Sequence, residues 1–159
     1  MNIAIVGATG NVGRKTLEVL EKKELSINNI YLIASSKSAG KKIRFKGEDH
    51  EVFDLESFDF SKVKITFFAA GGKISEKFAE KAAKHCLVID NSSFYRMDPS
   101  VPLIVPQVNS NHLKNIKKNI IANPNCSTAQ LVIALKPLHD EFVIKRIVVS
   151  TYQSVSGGG

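Results

Sequence analysis

The chain has 159 residues, is 43% hydrophobic and 23% charged, and so can bury a core of its own without disulfides or metals. No apolar run approaches the ~18 residues of a membrane span, and no basic segment precedes an apolar one at the start, as a secretory signal would require. A net charge of +7 leaves an anionic ligand open, although Lys22, Lys23, Lys77, Lys81 and Lys84 read as the solvated faces of helices.

In chain order, Asn2 to Val6 is a short apolar run ending at Gly7 and reads as a buried strand. Val12, Thr16, Val19 and Leu20 then recur at helical spacing up to about Glu24. Ile30 to Ala34 is a second strand. Ile43 to Phe45 and Glu51 to Val52-Phe53 flank Gly47 as a small hairpin. Ile65 to Ala70 is a third apolar run, closed by Gly71-Gly72, and Ile74 to His85 has helical spacing. Leu87 to Asp90 reads as a strand, Leu103 to Val105 as a short strand between prolines, Asn109 to Ile116 as a helix, and Ile120 to Ala122 as a strand. Cys126 to Leu138 reads as a buried helix, and Ile144 to Tyr152, rich in β-branched residues, as a long strand.

This alternation predicts an α/β fold, a Rossmann-like, doubly wound and mostly parallel sheet covered on both faces. The final strand has no later neighbours in the sequence. It is expected to open a second, truncated α+β unit, giving residues 1–125 as a nucleotide-binding domain and 126–159 as the beginning of another.

Gly7-Ala8-Thr9-Gly10-Asn11-Val12-Gly13 joins the first strand to the first helix. Glycines there allow a tight turn and let a pyrophosphate approach backbone N–H groups at a helix N-terminus. An NAD site would place an acid at the end of the second strand, about 20 residues past the glycines, for the ribose 2′-OH. Ser35-Ser36-Lys37-Ser38-Ala39-Gly40-Lys41 holds hydroxyls and lysines instead, which favours a 2′-phosphate and hence NADP.

Two cysteines, Cys86 and Cys126, match no metal-ligand or CxxC spacing, and no metal is expected. A reduced, cytoplasmic setting is the default. Cys126 follows Asn123-Pro124-Asn125 at the predicted start of a helix, where the dipole favours negative charge and therefore the nucleophilic thiolate. A small buried hydrophobe is the competing reading. Cys86 begins an apolar strand and reads as core. His112 and His139 stand without placed partners and read as surface residues.

The glycine turn, Ala34 to Lys41, Ala69-Ala70-Gly71-Gly72, Asp90-Asn91-Ser92-Ser93, Asn123 to Thr128 and Ser150 to Gly157 occur here in the order in which bacterial aspartate-semialdehyde dehydrogenases carry them. The chain resembles that family over its whole length. The resemblance implies NADPH-dependent, reversible reduction of L-aspartyl 4-phosphate to aspartate semialdehyde and phosphate, on the route to diaminopimelate, lysine, threonine and methionine. It implies Cys126 as the nucleophile that forms an acyl-thioester and Gln153 as the residue that orients the substrate. Arg96 and Asn125 would bind the substrate phosphate. Gly7, Thr9, Gly10, Asn11, Val12, Gly13, Ser36, Lys37, Ser38 and Gly72 would hold NADP, with Ser156 and Gly157 near its nicotinamide. The resemblance further implies a homodimer at full family length, with small-molecule substrates and no nucleic-acid or membrane partner.

The chain departs from that pattern at Lys37, where arginine is usual, and at Gln107, where glutamate is usual. It also ends before the family's acid/base histidine and its substrate-carboxylate arginine, so the 159 residues alone are expected to turn over little. Three rivals are weaker. N-acetyl-glutamyl-phosphate reductases usually place their cysteine in a Gly-Cys-Tyr context, unlike Asn125-Cys126-Ser127. A non-enzymatic NADP-binding module needs the turn but not Cys126, Arg96 and Gln153 together. A nucleic-acid binder would need aromatics among its basic residues.

Overall fold

The computed structural model describes residues 1–153 and 155. Its strands are β1 (Asn2–Val6), β2 (Asn29–Ala34), β3 (Lys42–Phe45), β4 (Glu48–Asp54), β5 (Ile65–Phe68), β6 (Leu87–Asp90) and β7 (Ile120–Ala122). Its helices are α1 (Asn11–Glu21), α2 (Gly72–Ala83), the short α3 (Pro106–Asn109) and α4 (Cys126–Phe142). One sheet runs in the order β3-β4-β2-β1-β5-β6-β7. Every pairing is parallel except β3 with β4. The Rossmann-like, mostly parallel sheet expected from the sequence is therefore the fold.

Period-two alternation assigns the two faces. Ile3 and Ile5 of β1 pack with Leu32, Leu17 and Leu20 under α1, whereas Ala4 and Val6 pack with Phe78, Ala79, Ala82 and Ala83 under α2. Burial on both faces explains why β1 reads as one continuous apolar run. Both core clusters end at or before Ala122.

Glycine permits the closest backbone approach. A Cβ on Gly13 would stand 2.2 Å from the Gly7 carbonyl oxygen, so only glycine lets α1 start this close to the end of β1. Gly7 itself has φ +86, a left-handed conformation, and a Cβ there would meet the Ala69 carbonyl at 2.7 Å. The turn is thus pressed between β1 and the end of β5.

Four readings differ from the structure. Leu103 makes only an isolated bridge with Ala122, because Pro102 and Pro106 leave this segment short of donors for a ladder. The helix expected from Asn109 starts earlier, with Pro106 in its first turn, and after Asn109 tightens into a 3-10 turn over Ser110–Asn115. Helix α4 forms and extends to Phe142, past Pro137, yet none of its residues is buried and Phe142 is 74% exposed. Ile144 to Tyr152 forms no strand and pairs with neither edge of the sheet. Part of this segment folds back on α4 instead, where Val132, Leu135, Ile144 and Ile147 line a cavity of about 330 Å³.

Gly13→Ala should lower unfolding stability by about 1–3 kcal/mol through the forced backbone shift, read from urea denaturation followed by circular dichroism. Gly10→Ala is the control. Its Cβ would meet nothing closer than 3.4 Å, so it should stay within about 0.5 kcal/mol of the parent.

Candidate functional site

The parallel register brings the loops after β1, β2, β5, β6 and β7 to one edge of the sheet. Helices α1, α2 and α4 begin there. Their first amides have no intrahelical acceptor and carry the positive end of the helix dipole. Helix α1 is capped by Gly10 and α2 by Gly71; neither has a side-chain cap or an acid in its first turn. Gly7 and Ala8 both donate to the Ile33 carbonyl, at 2.8 and 3.1 Å, which fixes the turn against the end of β2. This geometry leaves room and donors for a phosphate, so the residues present fit a dinucleotide. Thr9, Gly10, Asn11 and Val12 lie on the turn or the first helical positions, and Gly72 opens α2.

Beyond β2, Ser36 and Lys37 are exposed and Ser38 is half-buried. Ser38 and Ala39 donate to the Ser35 carbonyl at 2.8 and 3.1 Å. The loop is closed by Gly40 N–H to the Val52 carbonyl (2.9 Å) and Val52 N–H to the Lys41 carbonyl (2.8 Å). No acid lies in the loop. Asp54 on the neighbouring strand does pair in register with Ala34, and its Oδ1 accepts from the Glu56 N–H at 3.3 Å.

The other part of the site is a hydrogen-bonded array across the ends of β6 and β7. Asn123 Nδ2 donates to Asn91 Oδ1 at 2.6 Å. Asn91 Nδ2 reaches the Phe68 carbonyl at 3.2 Å, tying in β5. Arg96 Nε donates to the Asn123 carbonyl (2.9 Å) and Nη2 to the Asn91 carbonyl (3.1 Å). The guanidinium is half-buried and keeps its remaining donors. Tyr95, only 2% exposed, anchors the turn that carries Arg96. Burial, with help from nearby carboxylates, pushes its phenol up to about 12.

Below the array, the fully buried Asp90 accepts from Ser75 Oγ (2.7 Å), Ser92 N–H (3.0 Å) and Ser92 Oγ (2.7 Å). Three donors satisfy this buried carboxylate in place of a countercharge. The contact with Ser75 ties α2 to the end of β6.

Cys126 is the first residue of α4 and is exposed. Asn125 caps the helix, accepting from Ser127 N–H at 2.9 Å and Ser127 Oγ at 2.6 Å. Asn125 Oδ1 lies 3.7 Å from the Cys126 sulfur. Val12, Asn91, Arg96, Gln107, Asn123, Asn125 and Cys126 line one cavity of about 440 Å³. The glycine turn and the cysteine, distant in sequence, thus meet at one opening through Val12.

Gln153 is exposed and does not line this cavity. Ser156 and Gly157 lie outside the described residues. His112 and His139 are exposed and line other hollows. Among the described residues no group of His, Cys, Asp and Glu could hold a metal ion. Asp90, Asn91 and Asn123 stood in the quoted motifs but were given no role. Their signal was present as a run of small polar residues directly after a buried strand.

Residues 2–116 match the family model described as semialdehyde dehydrogenase, NAD binding domain. The aspartate-semialdehyde dehydrogenase of Rickettsia bellii is 51% identical over 160 residues, which cover 99% of this chain and 47% of that protein. The crystal structure of aspartate semialdehyde dehydrogenase II from Vibrio cholerae superposes with a TM-score of 0.96 at 50% identity, over 99% of this chain and 48% of that one. The Candida albicans enzyme, solved with NADP, gives a TM-score of 0.73 at 31% identity, over 90% and 48% of the two chains. The chain spans about half the length of the relatives it matches. No helix among the described residues is long and apolar enough to cross a membrane.

The two cysteines should differ in reactivity. Burial pushes the Cys86 thiol up, partly offset by the Thr66 hydroxyl 3.2 Å away. Its thiolate is therefore scarce until the pH rises well past that of an ordinary thiol, and the sulfur is sealed in the core. Limited iodoacetamide treatment at neutral pH, read by peptide mass spectrometry, should label Cys126 first and Cys86 only after unfolding. Labelling in the reverse order would remove Cys126 from the site.

Proposed function

Because this chain belongs to the semialdehyde dehydrogenase NAD-binding-domain family, we propose that it supplies the cofactor-binding half and the nucleophile of an aspartate-semialdehyde dehydrogenase. The proposed reaction is the reversible reduction of L-aspartyl 4-phosphate to aspartate semialdehyde, with NADPH as reductant. One observation carries the reading: Val12 of the phosphate turn, Arg96, Asn125 and Cys126 share a single cavity.

Cys126 is the nucleophile. Its thiolate attacks the acyl phosphate, a C–S bond forms, the C–O bond to phosphate breaks, and phosphate leaves. Cys126 is exposed at the start of α4, where it lines the cavity with Arg96 and Asn125. Arg96 and Asn125 receive the phosphate. Two carbonyl bonds already orient the Arg96 fork, so its free donors can meet an oxyanion bidentately. Gln153 is assigned to substrate orientation on the family pattern alone.

The cofactor is assigned to Gly7, Thr9, Gly10, Asn11, Val12, Gly13 and Gly72 for its phosphates and to Ser36, Lys37 and Ser38 for a 2′-phosphate. Ser156 and Gly157 are assigned near its nicotinamide. When bound, it supplies the hydride that reduces the thioester. Support for NADP comes from the acid-free loop after β2 and from the Candida albicans enzyme, solved with NADP at 31% identity. A small acyl substrate is supported by the Vibrio cholerae enzyme complexed with ASA, at 48% identity and a TM-score of 0.85 over 87% of this chain and 46% of that one.

A domain boundary near residue 125 is supported by the two cores, both complete by Ala122, and by α4, which buries none of its residues. Pairing of such subunits into a homodimer, in the cytoplasm, completes the proposal. Among the described residues the cavity wall carries no His, Asp or Glu to move a proton. Nucleophilic catalysis needs such a group, so the 159 residues alone should turn over little.

Two measurements test this. With the enzyme at the length of its relatives, phosphate-dependent NADPH formation from aspartate semialdehyde should fall more than about 10³-fold in Cys126→Ala; retention of activity would refute the nucleophile. The 159-residue chain should bind NADP(H) at least about tenfold more tightly than NAD(H). Equal affinities would refute the 2′-phosphate assignment.

A further inference from the structure

Arg14 stands in the first turn of α1, directly after Gly13. A cation there opposes the helix dipole, whose positive end it joins. Its Nε donates to the Thr9 carbonyl at 3.2 Å, which holds the guanidinium over the glycine turn. Four N–H donors on its two terminal nitrogens remain. Among the described residues no carboxylate pairs with it. Glu18 is engaged by Lys15 and Lys22, Glu21 accepts from the Lys46 N–H, and Asp54 accepts from the Glu56 N–H. An exposed guanidinium fixed by one nitrogen, without an acid, beside uncapped helix amides, is arranged for an anion that the protein itself does not provide.

The turn residue that it grips follows Ala8, which is bonded to the end of β2. The loop leaving β2 offers Ser35, Ser36, Ser38 and Lys37, which supply hydroxyls and one point charge but no planar fork. A phosphate monoester is a dianion best met bidentately. We propose that Arg14 is a specificity-determining residue of the cofactor site, its guanidinium clasping the 2′-phosphate of the adenosine half opposite Ser36 and Lys37. This rests on the NADP reading above and extends it to a residue outside the loop after β2.

The test uses 2′,5′-ADP and 5′-ADP as probes, titrated by calorimetry into the 159-residue chain and its variants. The parent should favour 2′,5′-ADP at least about tenfold. Arg14→Gln, which keeps the length and loses the charge, should weaken 2′,5′-ADP by about tenfold and leave 5′-ADP within about twofold. Arg14→Lys should recover part of the loss. Circular dichroism melts of each variant verify that the fold is retained. Equal weakening of both probes would overturn the proposal and place Arg14 on the pyrophosphate or the turn. No change with either probe would also overturn it, while leaving the NADP reading intact if the parent still prefers 2′,5′-ADP. A parent without that preference would overturn the NADP reading and this inference together.

Discussion

Amides that begin a helix have no partner inside it, and this structure gathers three such sets at the carboxyl edge of a single parallel sheet. Parallel pairing of β2, β1, β5, β6 and β7 forces the convergence, since each crossover must start from the same edge. Two of the three helices leave their ends free of side-chain caps and of acids. Only α4 is capped by a side chain, from Asn125. The uncapped starts lie where the family's nucleotide is proposed to bind, and the capped one carries the cysteine. Placing the unsatisfied donors together makes one end of the molecule electropositive without requiring a cluster of lysines.

Rigidity at that edge comes from side chains bonded across strand ends. Asn91, Asn123 and Arg96 tie β5, β6 and β7 together, and Asp90 with Ser75 anchors α2 to the same place. A cavity wall assembled this way holds its shape without the ligand, so little ordering entropy remains to oppose binding. The cost is a buried carboxylate compensated, among the described residues, by three hydrogen bonds. Truncating either serine would leave it under-satisfied.

Most of the fold was legible in the sequence. The strands buried on both faces announced themselves as short apolar runs, and the glycines of the turn announced a backbone contact confirmed by the clash any Cβ on Gly13 would meet. What failed was burial near the end of the described residues. The apolar spacing of Cys126 to Leu138 reads as a buried helix, and Ile144 to Tyr152 reads as a strand, yet α4 buries none of its residues and the later segment lies against α4 without pairing in the sheet. Pattern states what a segment requires; whether the requirement is met depends on the rest of the structure. In the candidate site, Cys126, Arg96 and Gln153 were singled out in the sequence; the structure brings the first two to one cavity and leaves Gln153 outside it. Asn91 and Asn123 were named without a role, because their mutual bond exists only once β6 and β7 are adjacent, and no local spacing encodes that adjacency.

The antiparallel β3–β4 hairpin is the one interruption of the parallel order. By placing β4 beside β2, it clips the far end of the loop after β2 through the paired bonds between Gly40, Lys41 and Val52, while Ala34 at the near end pairs with Asp54. That loop is therefore an interchangeable cassette, bounded by strands that do not touch the reacting groups. Substitutions or exchanges within it alter neither the register of the central strands nor the array around the cysteine. Under the proposed cofactor reading, a lineage can retune the ribose end by rewriting a few exposed loop positions together with Arg14, while the bonded array beside Cys126 stays under separate selection.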